Sequence, residues 1–135
     1  MSTEFRGEGN IGLDPEYREF PVENDEPDRL LTLRIYFDNL VPTGDAKFED
    51  RGGFWMNVEL RHKDAHLWAS LYQKGMRVLV SGRQIRDEWT DEEDRVQTAI
   101  RVRARRVGIL PYRIARISMA PKAATGHESD TSDPE

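Results

Sequence analysis

Apolar and polar residues alternate along four stretches of the chain, and each alternation predicts a β-strand. The stretches are 30–37 (LLTLRIYF), 54–60 (FWMNVEL), 76–85 (MRVLVSGRQI) and 96–107 (VQTAIRVRARRV). A period of two residues places the apolar side chains on one face of a strand, where they can cover a core. We therefore expect a mainly β protein.

One stretch follows the helical period instead. Its apolar residues recur at spacings of three and four: Ala65, Trp68, Ala69, Leu71 and Tyr72. The spacing predicts a helix over 64–74, with Asp64 capping its start and Gly75 ending it. Trp68 lies on the apolar face of this helix, which favours a place in the core.

Polar segments separate these elements. Residues 1–28 are rich in glycine, proline and acidic residues and predict a loop-rich entry, while 38–53 predict a long exposed loop. Apolar residues return over 109–119 (ILPYRIARISM), and the last residues are polar and acidic. We expect one folded domain over 1–119 and a disordered acidic tail over 120–135.

This order of elements is typical of an OB-fold. We predict an all-β protein with one helix, built as a five-stranded barrel in which the helix follows the third strand. An extended hairpin then follows the helix. Other small barrels have similar numbers of strands, so the pattern alone leaves them open.

Composition limits the classes of protein that remain. The 135 residues suffice for one domain, and the absence of cysteine excludes disulfides and thiolate sites. The sequence contains no run of about 18 apolar residues that would predict a membrane span. Its first nine residues lack the apolar core of a signal peptide. We therefore expect a cytoplasmic protein.

The charge is distributed unevenly, although the net value is −5. Residues 1–50 contain 13 acidic and five basic residues, and residues 51–120 contain eight acidic and 14 basic residues. Residues 121–135 contain four acidic residues and one basic residue. A basic middle between acidic ends can steer a polyanion to one face, and it can equally be an ordinary solvated surface.

Aromatic rings accompany these cations. Binding of a single-stranded nucleic acid without sequence preference needs cations along the phosphates and rings on which bases stack. Trp89 lies among carboxylates near the tip of the hairpin and is a candidate ring; Trp55, on a strand, fits a core place equally well. Arg34 beside Tyr36 is another pairing of cation and ring. The candidate cations on the later strands are Arg77, Arg83, Arg86 and Arg101.

Some arginines have a plainer interpretation. Arg103 and Arg105 alternate with apolar residues along the last strand, as Arg101 does; for these two arginines an ordinary solvated outer face is a serious alternative to phosphate binding.

Catalytic and cofactor chemistry is poorly supported. His62 and His66 have the spacing of two metal ligands, but only Asp64 lies between them as a third. The carboxylates of 91–94 are consecutive, as in a solvated turn. The stretch 7–12 (GEGNIG) lacks the preceding strand and following helix of a phosphate-binding loop. We predict no enzyme, no metal site and no cofactor.

Three motifs together resemble the bacterial single-stranded DNA-binding protein family. They are 9–18 (GNIGLDPEYR), which is similar to the signature after the family's first strand, 72–82 (YQKGMRVLVSG), and the Trp89-Thr90-Asp91 start of the hairpin tip. The resemblance covers about 9–107. It implies an OB-fold that binds single-stranded DNA in replication, recombination and repair, without catalysis.

The resemblance also implies roles for individual residues. Trp55 and Trp89 fall on positions where the family stacks bases, and Arg61 falls on a third such position. Phe37 or Phe48 is expected to replace a further stacking residue. The residues near the family's backbone contacts are Arg18, Lys74, Arg83 and Arg86.

Other implications concern assembly and partners. The resemblance implies a homo-oligomer, a tetramer or alternatively a dimer, associated with the nucleoid. Because 2–6 (STEFR) replaces an apolar strand, we expect a short or frayed first strand and doubtful pairing there. The acidic tail has no apolar end to recruit partner proteins. These departures favour a version carried on a plasmid or mobile element.

Two other functions stay open. One is an OB-fold module that binds proteins, as in a primosome, and the other is a metal-dependent nuclease.

Overall fold

A computed structural model describes residues 3–122 as eight strands and one short helix. The strands are β1 (Thr3–Ile11), β2 (Glu16–Phe20), β3 (Asp28–Phe37), β4 (Leu40–Gly44), β5 (Lys47–Asp50), β6 (Phe54–Arg61), β7 (Arg77–Thr90) and β8 (Val96–Ile109). The helix α1 (Ala65–Trp68) lies between β6 and β7. The expected tail over 120–135 lies mainly outside the described residues.

The strands form a nearly closed barrel. Six strands make one sheet in the order β1-β7-β8-β6-β3-β2, and β1 also pairs with β3 through Asn10 and Ile11. The barrel strands are therefore β1, β3, β6, β7 and β8, while β2 adds to the outside edge of β3 and β4 pairs only with β5. The helix follows β6, the third barrel strand, as the sequence predicts.

The apolar alternation fills the barrel. The fully buried side chains are Ile11, Leu31, Leu33, Ile35, Val58, Val78, Val80 and Val102. Burying a side chain of this size contributes about 1.5–3 kcal/mol relative to leaving it exposed. The residues between them point outward, so the opposite face of the same strands is available for binding.

The helix is shorter than predicted. It spans Ala65–Trp68 rather than 64–74, and Asp64 precedes it without a side-chain capping hydrogen bond. After Trp68 the chain tightens, because the N–H groups of Ser70 and Leu71 donate to carbonyls three residues back. Gly75 has a positive φ of 95° and donates its N–H to the carbonyl of Ile11 at 2.7 Å. The apolar spacing over this stretch therefore reflects a series of turns packed on the barrel; Trp68 packs against the core, as predicted.

The first strand is longer than predicted. β1 has nine residues and pairs with β7 from Thr3 to Asn10. Backbone hydrogen bonds to β7 hold it, and Phe5 packs its ring edge-on against Phe37 with centroids 5.0 Å apart. The expectation of a short or frayed strand was wrong because one inward ring and a complete backbone ladder replace the missing apolar residues.

Two polar segments are also more ordered than predicted. The expected loop over 38–53 contains the β4–β5 hairpin, and the expected loop-rich entry contains β1 and β2. Residues 110–122 follow β8 without further helix or strand, and Tyr112, Ile117 and Met119 are exposed there. In the part of the chain that the structure describes, no helix is long and apolar enough to cross a membrane.

Candidate nucleic-acid interface

The outer face of β3 and β6 carries one aromatic cluster. Tyr36 lies directly opposite Trp55 in the register of these strands, and Arg34 lies opposite Asn57. These four side chains point away from the core because their neighbours Ile35 and Met56 point into it. Half of the Trp55 side chain is exposed, at 49%. A flat ring is therefore presented to solvent from the middle of a rigid sheet.

Neighbouring residues fix the position of this ring. The rings of Tyr36 and Trp55 are 5.3 Å apart at an angle of 58°, and the Arg34 guanidinium carbon lies 5.8 Å from the Trp55 centroid. Gly12 lies so close to the ring that any side chain there would collide with it. The N–H of Gly12 donates to the carbonyl of Arg34 at 2.8 Å. The glycine motif after β1 thus supports the Trp55 ring.

The second tryptophan lies on the same face of the sheet. Asn57 is in register with Arg101, and Arg101 is in register with Ile85. Trp89 lies four residues after Ile85 on β7, so its side chain points to the same side as that of Trp55. Trp89 is also 49% exposed and pairs with Gln97 near the end of the hairpin. The two predicted stacking rings therefore share one surface.

The β4–β5 hairpin is tied to this surface. The Tyr36 hydroxyl donates to Asp50 Oδ2 at 2.5 Å, and the N–H of Asn39 donates to Asp50 Oδ1 at 2.8 Å. The hydrogen bond from Tyr36 lowers the pKa of Asp50, and the same bond raises the pKa of Tyr36. Phe48, on β5 of this hairpin, is 62% exposed. It remains available for stacking.

Phe37 is not available for stacking on a base. It is only 3% exposed, and its ring packs in the core between Phe5 and Phe54. The alternation of β3 places Phe37 on the inward side with Ile35, so its selection as a stacking residue was wrong.

Several predicted phosphate-binding cations are held by carboxylates of the chain itself. Arg77 is only 16% exposed and binds Asp38 at 2.6 Å and Glu8 at 2.7 Å. These partners, Asp38 first, raise the pKa of Arg77 further above its usual range. Arg77 is a link between strands, and its selection as a phosphate contact is corrected on this ground.

Arg101 and Arg61 are engaged in the same way. Arg101 donates to Asp87 at 2.8 Å and to Glu59 at 2.5 Å, and the pKa of Asp87 is lowered mainly by its hydrogen bond with Arg101. Arg61 pairs with Asp28. Either arginine could reach a phosphate only after its carboxylate partner moved.

The remaining predicted cations are more accessible. Arg18 and Arg86 form exposed pairs with Glu16 and Glu88, at 3.1 and 3.5 Å. Lys74 and Arg83 are exposed. Arg34 donates to Asn57 at 3.1 Å, and its guanidinium lies over the ring of Trp55.

The sequence analysis did not predict the places of two residues on this surface. Gly12 supports Trp55, and the only signal for it is its place in the glycine motif. For Arg103 the sequence left a solvated outer face as a serious alternative to phosphate binding; in the structure it lies directly opposite Arg83 and is only partly exposed.

Residues 3–122 contain no group of three histidine, aspartate or glutamate residues placed to hold a metal ion. His62 instead stacks on Trp68 with ring centroids 4.3 Å apart.

Comparison with known proteins agrees with this geometry. The model of the single-strand binding protein family matches residues 8–110 of the chain. A single-stranded DNA-binding protein of Deinococcus radiodurans is 29% identical over 123 residues, which cover 87% of this chain. The chain spans only 37% of the length of that relative.

Solved structures confirm the predicted OB-fold. A small single-stranded DNA-binding protein from Streptomyces coelicolor has a TM-score of 0.69 at 18% identity, covering 84% of this chain and 98% of its own. A Plasmodium falciparum SSB in complex with ssDNA has a TM-score of 0.60 at 13% identity, covering 82% and 96%. A deletion mutant of the single-stranded DNA binding protein from Thermus aquaticus has a TM-score of 0.61 at 19% identity, covering 84% and 52%.

Proposed function

The chain belongs to the single-strand binding protein family, and from that membership we propose that it binds single-stranded DNA without sequence preference. The observation that carries the proposal is the outer face of the sheet, where Trp55 and Trp89 are both half exposed. Every base has a flat face, so exposed rings on a rigid sheet select single strands rather than sequences.

Stacking supplies one part of the binding energy. Each base stacked on an aromatic ring contributes about 1–3 kcal/mol by alanine substitution. We assign this role to Trp55 and Trp89, with Tyr36 and the exposed Phe48 as further stacking residues. Tyr36 also orients Trp55 and the β4–β5 hairpin, so its contribution is partly through its neighbours.

Phosphate contacts supply the other part. The accessible cations are Arg18, Arg34, Lys74, Arg83 and Arg86. Arg61 and Arg101 contribute only if the strand displaces their carboxylate partners. Phosphate contacts carry no sequence information, which fits binding that is independent of base identity.

Two observations bear on whether copies of this chain associate: its family and an open edge of β1. Among the described residues, β1 pairs with β7 on one side and with β3 only through Asn10 and Ile11. An unpaired strand edge is a template for a second chain. We propose a homo-oligomer, a tetramer or alternatively a dimer, in which this edge takes part.

We also propose the biological role from membership of the family. Coating single-stranded DNA protects it in replication, recombination or repair, in the cytoplasm and at the nucleoid, and requires no catalysis. A plasmid or mobile-element origin remains a prediction.

A competition experiment tests the proposal. Labelled oligo-dT of about 30 nucleotides exceeds the 4–16 nucleotides that one OB-fold covers, so a complete site fits on it. Unlabelled dT, mixed-sequence single-stranded DNA and duplex DNA are then added as competitors. We expect both single strands to compete similarly and the duplex to compete weakly. Equal competition by the duplex would contradict the proposal, and single-stranded RNA as a further competitor measures the DNA preference.

The alternative is an OB-fold module that binds proteins. The pairing of Arg61, Arg77 and Arg101 with carboxylates favours it, since it removes cations from the surface. Capture of a defined protein partner without retention of oligo-dT at low salt would select this alternative. Degradation of the oligo-dT with added Mg²⁺ would select the nuclease.

A further inference from the structure

Asn57 is an exposed amide beside the ring of Trp55. It follows Trp55 by two residues on β6, so both side chains point to the outer face, about 7 Å apart along the strand. A base that stacks on an exposed indole extends past the rim of the ring, and the hydrogen-bonding groups of the base lie on its own edge. Asn57 is therefore within reach of the edge of a base stacked on Trp55.

Arg34 fixes the orientation of this amide. Its guanidinium donates to Asn57 Oδ1 at 3.1 Å, and the two residues lie directly opposite each other in register. A guanidinium has N–H donors and no acceptor, so the amide nitrogen of Asn57 cannot take the place of the oxygen without losing this hydrogen bond. The oxygen is thus occupied, and the amide nitrogen is turned away from Arg34 with N–H groups left to donate.

The surrounding side chains leave these N–H groups free. Within residues 3–122, Asn57 hydrogen-bonds through its side chain only to Arg34. Two carboxylates of this part of the face, Glu59 and Asp87, both bind Arg101, at 2.5 and 2.8 Å. Arg101 lies opposite Asn57 on β8 and also only donates. Arg34 and Asn57 therefore present hydrogen-bond donors to the outer face and no free acceptor.

A row of donors distinguishes the four bases by one group. Thymine and guanine have a carbonyl acceptor, O4 or O6, where cytosine and adenine have an amino donor. An N–H group that faces the carbonyl makes a hydrogen bond, and one that faces the amino group finds no acceptor there. A free amide would turn its oxygen toward the amino group, but Arg34 holds the oxygen of Asn57. The arrangement therefore favours bases with a carbonyl at this place, the keto bases.

We propose that Asn57 donates to the carbonyl edge of the base stacked on Trp55, so that this position prefers thymine or guanine to cytosine or adenine. Asn57 is the residue that determines the preference, and Arg34 is a positioning residue whose other N–H groups stay available to a phosphate. This inference rests on the proposed function and deepens it.

The preference is compatible with binding to strands of any sequence. It concerns one base among the several that an OB-fold covers. A mixed strand can shift its register until a keto base lies on Trp55. The preference is therefore visible only with strands that offer no keto base in any register.

Oligo-dU and oligo-dC of equal length test the preference. At C4, uracil has a carbonyl and cytosine an amino group, and a homopolymer presents the same base in every register. One hydrogen bond corresponds to about a two- to tenfold difference in affinity. We expect the unmodified chain to bind oligo-dU more tightly than oligo-dC by about this factor, measured by anisotropy at neutral pH and one salt concentration.

Variants at Asn57 separate hydrogen bonding from stacking. Asn57→Ala removes the donor and should lower the ratio of dU to dC affinity. Asn57→Asp keeps the shape but offers acceptors, so its ratio should fall further, although its negative charge weakens the binding of both strands. Gln73→Ala is the matched control, because it removes an exposed amide that follows α1. It should keep the ratio of the unmodified chain.

Arg34→Met tests the positioning role. Without the guanidinium, the amide of Asn57 can turn either end toward the base. The ratio should therefore fall to that of Asn57→Ala although Asn57 is still present. The lost charge weakens the binding of both strands alike, so the ratio separates the two effects.

The outcomes distinguish this inference from the function on which it rests. Equal ratios of dU to dC affinity in the unmodified chain, Asn57→Ala and Asn57→Asp would overturn the role of Asn57 and leave single-strand binding intact. Failure of the unmodified chain to bind either strand would overturn the proposed function instead.

Discussion

At the scale of single residues, Trp55 depends on the atoms around it. Tyr36 packs beside the ring, Arg34 approaches its face, and Gly12 leaves the space that its far edge occupies. A ring fixed in this way loses little conformational freedom when a base stacks on it. Trp89 is equally exposed but lies on the extended hairpin, so the two rings have different supports.

Removal of either ring should weaken binding. We expect Trp55→Ala and Trp89→Ala each to lower the affinity for oligo-dT by about 1–3 kcal/mol, because each loses a stacked base. Anisotropy titration at one fixed salt concentration measures this loss. Tyr112→Ala is the matched control, since Tyr112 is an exposed ring beyond β8. A loss in the control as large as in the tryptophan variants would show that exposed rings matter without regard to the shared face.

Gly12 provides a second test that leaves both rings in place. The variant Gly12→Ala introduces a Cβ that collides with the far edge of the Trp55 ring, which can swing aside without moving the backbone. We expect the affinity to fall by about 1 kcal/mol, the lower end of one stacking contact, with little change in melting temperature. Unchanged affinity would show that the position of the Trp55 ring is unimportant.

At the residue level, the sequence left Trp55 between a core place and an exposed one. Once the strands are known, the alternation explains why Trp55 and Tyr36 point outward, because the apolar residues beside them point into the core. The alternation also places Phe37 inward, and only the family resemblance had suggested otherwise. The partners of Arg77 could not be predicted, because Glu8 and Asp38 are 69 and 39 residues away in sequence.

At the scale of the elements, Arg77 links three parts of the barrel. It extends from the start of β7 to Glu8 on β1 and to Asp38 just after β3. The β1 strand thus has a backbone ladder to β7 and an ionic link at its far end. Two sequence expectations failed for related reasons. β1 is longer than expected because its backbone pairs with β7, and α1 is shorter because the chain after Trp68 continues in turns instead of helix.

Loss of this link should lower stability and leave binding intact. Breaking a buried pair costs 3–5 kcal/mol, and because Arg77 and Asp38 keep slight exposure we expect Arg77→Gln to lower the free energy of unfolding by about 2–3 kcal/mol. Urea denaturation of the two proteins measures this difference in the free energy of unfolding. In Arg18→Gln, which breaks the exposed pair with Glu16, the change should stay below about 1 kcal/mol. A weaker salt dependence of oligo-dT binding by Arg77→Gln would return Arg77 to the phosphate contacts.

At the scale of the whole molecule, the chain divides its charges between pairing and binding. Residues 1–50 supply Glu4, Glu8, Asp28 and Asp38 as partners for arginines that come later in the sequence. The net charge of −5 therefore conceals a face on which some cations are neutralised and others are free. Sequence counts could predict a basic middle region, but only the folded register shows which arginines remain unpaired.

The open edge of β1 should pair with another copy of the chain. For a tetramer we expect a mass of about 63 kDa, four times the 15.7 kDa of one chain, in light scattering after size exclusion. A dimer near twice the chain mass would keep the β1 pairing and exclude the tetramer. A mass of one chain at micromolar concentration would contradict the proposed assembly.

The most direct test of the central claim is a titration of the unmodified chain with oligo-dT, followed by tryptophan fluorescence at several salt concentrations. We predict strong quenching, because bases stack on Trp55 and Trp89, and an affinity that falls steeply as salt rises, because phosphates release counterions on binding. Unchanged fluorescence together with no retention of oligo-dT at low salt would contradict single-strand binding by this face.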